Sequence, residues 1–357
     1  MATPDDLLLF VDRDPEGAPL DLLPHGGDPR GVELRGRFGP YIADHGLINA
    51  ANTALGLELP LLLTGEPGCG KSDFAFAAAH ALKLDAPLCC YVRSDTRARD
   101  LLYHYDALRR FGDAQHGNPR QARDPRNYVR LAPLGAALMT VAPRQVVLID
   151  EIDKAPRDLP NDLLQELDVG DFQIPELGDL PRDAELPAKV FDPDHPAIEL
   201  RRDMRRTGPR KPLVIITSNA ERQLPEPFLR RCVFYNIPPP SRDRLVEIAH
   251  RRFPDHDPPF LTDLAEIFDA LRAHALTQQL QKPPTTSEML EWVRACVALY
   301  DRASVGTPLR AFKRALAAGK GKLTGETGLS WADLPGLVCL IKHREDLNAI
   351  ARHGSAA

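Results

Sequence analysis

Residues 65–72 read GEPGCGKS and directly follow the apolar run LPLLL at 59–63. Gly-x-x-x-x-Gly-Lys-Ser between an expected strand and an expected helix is the pattern of loops that cradle nucleotide phosphates, and it leaves few folds open. Gly65, Gly68 and Gly70 permit backbone turns that a β-carbon would obstruct, so successive N–H groups can converge on one anion. Lys71 can reach the β- and γ-phosphates of ATP, and the Ser72 hydroxyl can ligate Mg²⁺. The stretch SDFAFAAAHAL has helical periodicity, so a helix beginning near Lys71 adds the positive end of its dipole. Glu66, Pro67 and Cys69 occupy the free positions of the loop. The Cys69 thiol would lie beside the converging N–H groups, a helix start and Lys71, all of which favour thiolate; the plainer alternative is a small residue filling space.

Three further stretches bear on chemistry. In QVVLIDEIDKAP (145–156), four apolar residues end in Asp150 and Glu151, the pattern of a central parallel strand delivering acids at its C-terminal edge. Asp150 can hold Mg²⁺ through water, and Glu151 can orient and polarise an attacking water. Side chains alternate along a strand, but the backbone turns at its end, so two adjacent acids can take distinct roles. PLVIITSN (212–219) reads as another buried strand, and the amide of Asn219 at its tip can bond a γ-phosphate or the water. In LPEPFLRRC (224–232), Arg230 and Arg231 precede a strand, CVFYNI, and do not obviously reach their own chain's nucleotide. An arginine supplied across a subunit boundary would stabilise transition-state charge on a neighbour's nucleotide; the plainer alternative is a surface arginine pair.

Strands alternating with helices imply a parallel α/β sheet. Helices are expected over 41–58, 131–142 and 158–170, the last with Leu163, Leu164 and Leu167 on one face, and a short strand over 89–93. The polar stretch 111–127 is expected to be an exposed loop. FQIPEL and AIELRR are expected to pair as a hairpin around the tip GDLPRDAELPAKVFDPDHP, with Arg201, Arg202, Arg205, Arg206, Arg210 and Lys211 making its return basic, or else a solvated charged loop. Past Pro238, Pro239 and Pro240 only helical patterns follow, and Thr285 with Glu288 forms a capping box. The expected organisation is an extension over 1–35, an α/β nucleotide-binding domain over 36–240, and a helical lid with C-terminal helices over 241–357.

Composition excludes several classes. Net charge of −5 and a pI near 6.1 exert no global pull toward nucleic acid or an anionic membrane. No apolar segment approaches the length of a membrane span, and none reads as a secretory signal. The six cysteines are scattered with no C-x-x-C and no zinc spacing, so free thiols in a cytoplasmic protein are expected. Proline, at 34 residues, has about twice its average share, which points to many turns and sharply ended helices.

GEPGCGKS, VVLIDEIDKAP, IITSN and EPFLRRC, in that order, resemble the AAA+ ATPases and within them the MoxR family. The resemblance runs over about residues 38–300 and implies a P-loop NTPase: a three-layer αβα domain with a parallel sheet, followed by a smaller all-α lid. It implies Walker A roles for Lys71 and Ser72, Walker B roles for Asp150 and Glu151, and a sensor 1 role for Asn219. Arg231, or alternatively Arg230, becomes the arginine finger. It further implies ATP and Mg²⁺ as cofactors, a nucleotide-dependent hexameric ring, and remodelling of a protein partner, often one with a von Willebrand factor A domain. One departure stands out. Many relatives begin a lid helix with a sensor 2 arginine, whereas KPPTTSEMLEW offers Ser287 or Glu288 there, with Lys282 upstream as a substitute. The alternatives are a nucleic-acid-stimulated motor, disfavoured by the acidic balance, and a nucleotide-gated scaffold with little turnover.

Overall fold

The computed structural model describes residues 23, 32–36, 39–141, 143–178, 187, 189–298, 302–319, 323 and 328–352. Five strands form one parallel sheet: β1 (Leu61–Gly65), β2 (Leu88–Tyr91), β3 (Val146–Asp150), β4 (Leu213–Thr217) and β5 (Val233–Ile237). Their order across the sheet is β5-β1-β4-β3-β2. Position in the sheet explains the sequence of each strand. Strands β3 and β4 have neighbours on both sides, and VVLI and LVIIT are buried throughout, hence continuous apolar runs. Strand β5 lies at an edge, and VFYNI alternates instead, with Phe234 and Asn236 exposed.

Helix α1 (His45–Leu57) begins after Asp44, whose carboxylate accepts the Leu47 N–H at 2.9 Å. Helix α2 (Lys71–Ala81) lies on β3 and β4, burying Phe74 with four alanines. The helix expected over 41–58 therefore starts later than its periodicity suggests, because Gly39–Ala43 is a strand and Asp44 is the cap.

The stretch 111–127, expected to be an exposed loop, is largely helical. It falls within α3 (Ala107–Gln115), a short helix at Pro119–Arg123 and a 3₁₀ turn at Pro125–Tyr128. The residues that read as turn formers are caps: Asp106 accepts from Arg109 N–H, Asn118 from Gln121 N–H and Asp124 from Arg126 N–H. Asp124 and Arg126 are 1% and 6% exposed and form a two-pronged ion pair, with Nε to Oδ1 at 2.9 Å and Nη2 to Oδ2 at 2.8 Å. The expected exposure holds over 111–120, where every residue but Asp113 is exposed, whereas Ala122 and Asp124–Arg126 are buried and paired internally.

Helix α4 (Pro133–Met139) packs on β2 and β3. It approaches the chain at Leu102 so closely that a β-carbon on Gly135 would lie 1.9 Å from the Leu102 carbonyl oxygen. The helix expected over 158–170 is broken at Leu163 into Leu159–Asp162 and α5 (Leu164–Val169), ending at Gly170. Leu163 and Leu167 are buried and Leu164 only half-buried. Beyond α5, Phe172–Gln173 pairs antiparallel with Asp203–Met204 and Ile174 N–H donates to Arg202 O at 2.8 Å, so FQIPEL meets the expected AIELRR only at its last residue and the return strand itself lies just past it. A second pairing, Leu200 N–H to Val190 O and Asp192 N–H to Ile198 O, folds the tip on itself. Residues 179–186 and 188 of that tip lie outside the described residues.

The chain divides into two compact units, one chiefly of Ala43–Thr64 and Lys71–Asn236, the other of Gly39–Ile42, Gly65–Gly70 and the chain from Ile237 onward. The second unit contains α6 (Arg242–Arg252), α7 (Pro258–Thr277), α8 (Thr286–Ala298) and α9 (Arg302–Ala318), around a core including Leu264, Phe268, Trp292 and Phe312. A turn at Trp331–Asp333 and helices at Leu337–Leu340 and Arg344–Arg352 complete it. C-terminal helices are expected up to residue 357, but the sequence pattern sets no bounds for them beyond residue 303. Most of the expected extension 1–35 lies outside the described residues. Two of its parts do not: Val32–Gly36 is a strand against α2, and buried Leu23 exchanges both backbone hydrogen bonds with the Asn52 amide of α1.

Asp124→Ala leaves the Arg126 guanidinium buried without its counter-charge. The expected loss of unfolding free energy is about 3 kcal/mol, read as a lowered urea midpoint.

Candidate functional site

Strands β3 and β4 run parallel with Ile149 opposite Ile216, so Asp150 and Thr217 come side by side at their C-terminal ends. The Thr217 hydroxyl donates to Asp150 Oδ1 at 2.6 Å, and the Ser72 hydroxyl, from the first turn of α2, donates to the same oxygen at 2.6 Å. Thr217 Oγ1 in turn accepts the Glu151 N–H at 2.9 Å. One carboxylate oxygen thus joins the tips of two strands and the start of a helix.

Directly after Asp150 the backbone turns. Glu151 has φ 60° and ψ 52°, a left-handed conformation that costs a non-glycine residue about 1 kcal/mol. The turn gives the two adjacent acids different partners. Glu151 Oε1 accepts from the Asn219 amide at 3.2 Å, and Oε2 accepts from Lys154 Nζ at 2.5 Å. The hydrogen bond to Glu151 raises the Lys154 pKa above its ordinary value. Asp153, only 3% exposed, accepts the backbone N–H groups of Asn219 at 3.1 Å and Glu221 at 3.0 Å through Oδ2, and its Oδ1 has no hydrogen-bond partner among the described residues. The structure therefore brings Ser72, Asp150, Glu151 and Asn219 together.

Thr217, Asp153 and Lys154 belong to the same network, and sequence reasoning missed their part. Thr217 carried a signal, being a hydroxyl closing an otherwise apolar strand. Asp153 and Lys154 read only as the ordinary charge of a turn.

The loop ahead of α2 has all three glycines at positive φ: Gly65 at 145°, Gly68 at 73° and Gly70 at 93°. Space restricts them too. A β-carbon on Gly68 would lie 2.7 Å from Ser287 Cβ, and one on Gly70 would lie 2.9 Å from the Tyr41 ring. Glu66 and Pro67 are exposed, Cys69 is half-buried, and the Cys69 N–H donates to Glu66 O at 3.3 Å. Lys71, 6% exposed, begins α2.

Ser72 Oγ and Asp150 Oδ1 are hard oxygen donors at one point, a set that suits Mg²⁺, which takes a carboxylate or two with substrate phosphates and water. Among the described residues no group of three or more His, Cys, Asp or Glu side chains could hold a metal ion by itself.

Arg230 and Arg231 follow a short helix, Glu226–Leu229, and both are exposed. Neither is joined to the Asp150 network; Arg231 Nε lies 3.0 Å from Asp168 Oδ2. The basic return 201–211 is partly consumed internally. Lys211 Nζ donates to Leu167 O at 3.1 Å, Arg206 donates to Gly208 O at 2.6 Å, and Arg201 pairs with Glu199 at 2.8 Å. Burial lowers the Lys211 pKa. In the second unit, the Glu288 carboxylate accepts from Thr285 N–H at 2.7 Å and from its hydroxyl at 2.9 Å. Lys282 Nζ lies 3.7 Å from Glu288.

Thr217→Val keeps the shape and deletes the hydroxyl that joins Asp150 to the Glu151 N–H. Unfolding free energy is expected to fall by about 1–2 kcal/mol, with Thr217→Ser recovering most of it, as measured by chemical denaturation.

Among the described residues no helix is long and apolar enough to cross a membrane. No curated protein matches the chain. Residues 60–232 match the family model of the AAA domain (dynein-related subfamily). That span runs from the residue before β1 to the residue before β5 and so takes in the phosphate loop and all four site residues joined above. Over residues 60–232 the chain is thus similar to the AAA domain of the dynein-related subfamily.

Proposed function

We propose that the protein is a Mg²⁺-dependent ATPase of the AAA+ type, of MoxR character, which assembles into a hexameric ring and remodels a protein partner. The observation that carries the hydrolytic part is the hydrogen-bonded chain Ser72–Asp150–Thr217–Glu151–Asn219. In this reading backbone N–H groups of Gly68–Ser72 and the Lys71 ammonium bind the triphosphate. Ser72 and Asp150 would hold Mg²⁺, which would supply neutralisation of the triphosphate's charge. Glu151 accepts a proton from the attacking water and directs it at the γ-phosphorus, while the Asn219 amide orients that carboxylate. Asp153 holds the segment carrying Asn219 through two backbone N–H groups.

The ring and the partner rest on the resemblance in VVLIDEIDKAP, IITSN and EPFLRRC. Arg231 supports the ring in one respect: it is exposed and outside its own chain's site network, as an arginine serving a neighbouring subunit would be. The partner is a protein, with von Willebrand factor A domains as the first class to test. A scaffold with little turnover is the second reading. It is favoured by the engagement of both Glu151 oxygens, one by Asn219 and one by Lys154.

Lys71→Ala should abolish ATP binding, because the phosphates lose their main cation. Glu151→Gln should still bind ATP and hydrolyse it at least ~10²-fold more slowly, since an amide cannot act as base. Phosphate release and a fluorescent-nucleotide titration separate the two effects. Wild-type turnover in the Glu151 variant overturns the catalytic assignment, and a wild-type protein that binds ATP without turnover establishes the scaffold reading.

Arg231→Ala should bind ATP without hydrolysing it. Mixing it with Lys71→Ala should restore part of the activity, because some interfaces then pair an intact loop with an intact arginine. Mixtures that co-assemble and stay inactive at every ratio rule out an arginine acting between subunits.

A further inference from the structure

Helix α7 lies in the second unit with Leu261, Leu264, Phe268 and Leu271 turned into its core. One residue on this otherwise apolar face is an arginine. The Arg272 side chain is 9% exposed, and a guanidinium so placed is unfavourable unless it is paired. Its partner is not on the helix. Arg272 Nη2 lies 2.7 Å from Glu66 Oε2, the carboxylate at the second position of the phosphate loop. Within the same unit the start of α8 meets the loop at Gly68, through Ser287 and Thr285. The candidates that the sequence offers for a lid cation are placed otherwise. Lys282 stands beside Glu288, Glu288 is engaged by Thr285, and Ser287 carries no charge.

We propose that Arg272 is a positioning residue for the phosphate loop: by holding Glu66 it fixes the loop to the lid helix and removes a negative charge from the surface that must receive a triphosphate. The proposal rests on the nucleotide-binding reading above. Its physical content is a charge balance. A loop whose N–H groups are to bind an anion carries an acid at position 66, and an unpaired carboxylate there repels the phosphates. Arg272 neutralises that acid without touching the nucleotide. Because the arginine's stem is held in the α7 core, the acid is drawn to a fixed point and the loop with it. The lid therefore acts on the loop through an ion pair with Glu66, not through a charge offered to the γ-phosphate.

The test is a double-mutant cycle on nucleotide affinity, with Arg272→Met, Glu66→Gln and the pair of substitutions together, titrated with a fluorescent ADP analogue. In the Glu66 background, Arg272→Met should weaken binding by about tenfold, an order of magnitude set by one unscreened charge near the phosphates. In the Glu66→Gln background the same change should weaken it by less than about twofold, because no acid remains to be neutralised. A purely structural role for Arg272 would show the same loss in both backgrounds. Arg272→Lys, which keeps the charge, should retain affinity within about threefold of wild type. Where Arg272→Met does not fold, Arg272→Gln replaces it, with melting temperatures confirming folded protein. A parallel cycle on the melting temperature of nucleotide-free protein reads the ion pair itself. Equal losses in both backgrounds, or an Arg272→Met protein that binds as wild type does, overturn the proposal. A wild-type chain that binds no more tightly than Lys71→Ala overturns the nucleotide reading and this proposal with it. In that case coupling that persists in the melting cycle identifies the ion pair as structural alone.

Discussion

Asp150 Oδ1 accepts hydrogen bonds from Ser72 and Thr217, and the site is organised around that oxygen. An ionised carboxylate with two short hydroxyl donors is a strong local constraint, roughly twice the worth of a neutral pair for each bond. It holds the start of α2 against the ends of β3 and β4. The phosphate loop, which ends where α2 begins, therefore has a fixed end at Ser72. Thr217 carries the constraint onward, since its oxygen also accepts the Glu151 N–H and so stabilises the left-handed turn at that residue. Without the turn, Asp150 and Glu151 would point to opposite faces of the sheet. The turn lets one acid face Ser72 and the next face Asn219.

The remainder of the architecture serves this point. Parallel strands place all their C-terminal ends at one edge, and the β5-β1-β4-β3-β2 order sets β1, β4 and β3 side by side at its centre. Burial of β3 and β4 on both faces leaves little freedom in register, because a one-residue slip would carry Asp150 or Thr217 into the apolar interior. Around the sheet, polar contacts do unexpected structural work. The Asp124–Arg126 pair holds a segment that carries few apolar residues of its own, and the Asn52 amide satisfies both backbone groups of buried Leu23.

What was legible in the sequence follows from how local each signal is. GEPGCGKS announced itself because glycine at positive φ, and lysine and serine at a helix start, are requirements of a few consecutive residues. VVLID and LVIIT announced buried strands because four or five apolar residues in a row have no other economical place. The stretch 111–127 did not, because Asp, Asn and Pro serve equally as turn formers and as helix caps. Only the hydrogen bonds of the caps at Asp106, Asn118 and Asp124 and the burial of Arg126 decided between them. The hairpin pairing at Asp203–Met204 was not legible for a related reason, since two strands of two residues each carry too little periodicity to set a register.

The sequence by itself determined the motifs: a glycine-rich loop before a helix, an acid pair at a strand end and an amide at the next strand's tip, each specified by neighbours along the chain. Tertiary structure decided which charges and hydroxyls meet there. Thr217 and Asp153 became network members through strand register and burial, and Lys154 found Glu151 only because the backbone turns between them. Arg272 and Glu66 are joined across more than two hundred residues, a pairing that no periodicity encodes. The physical reason is common to all four. A side chain's charge or hydroxyl is visible in sequence, but its partner is set by what the fold buries beside it, and burial is a property of the assembled sheet and helices.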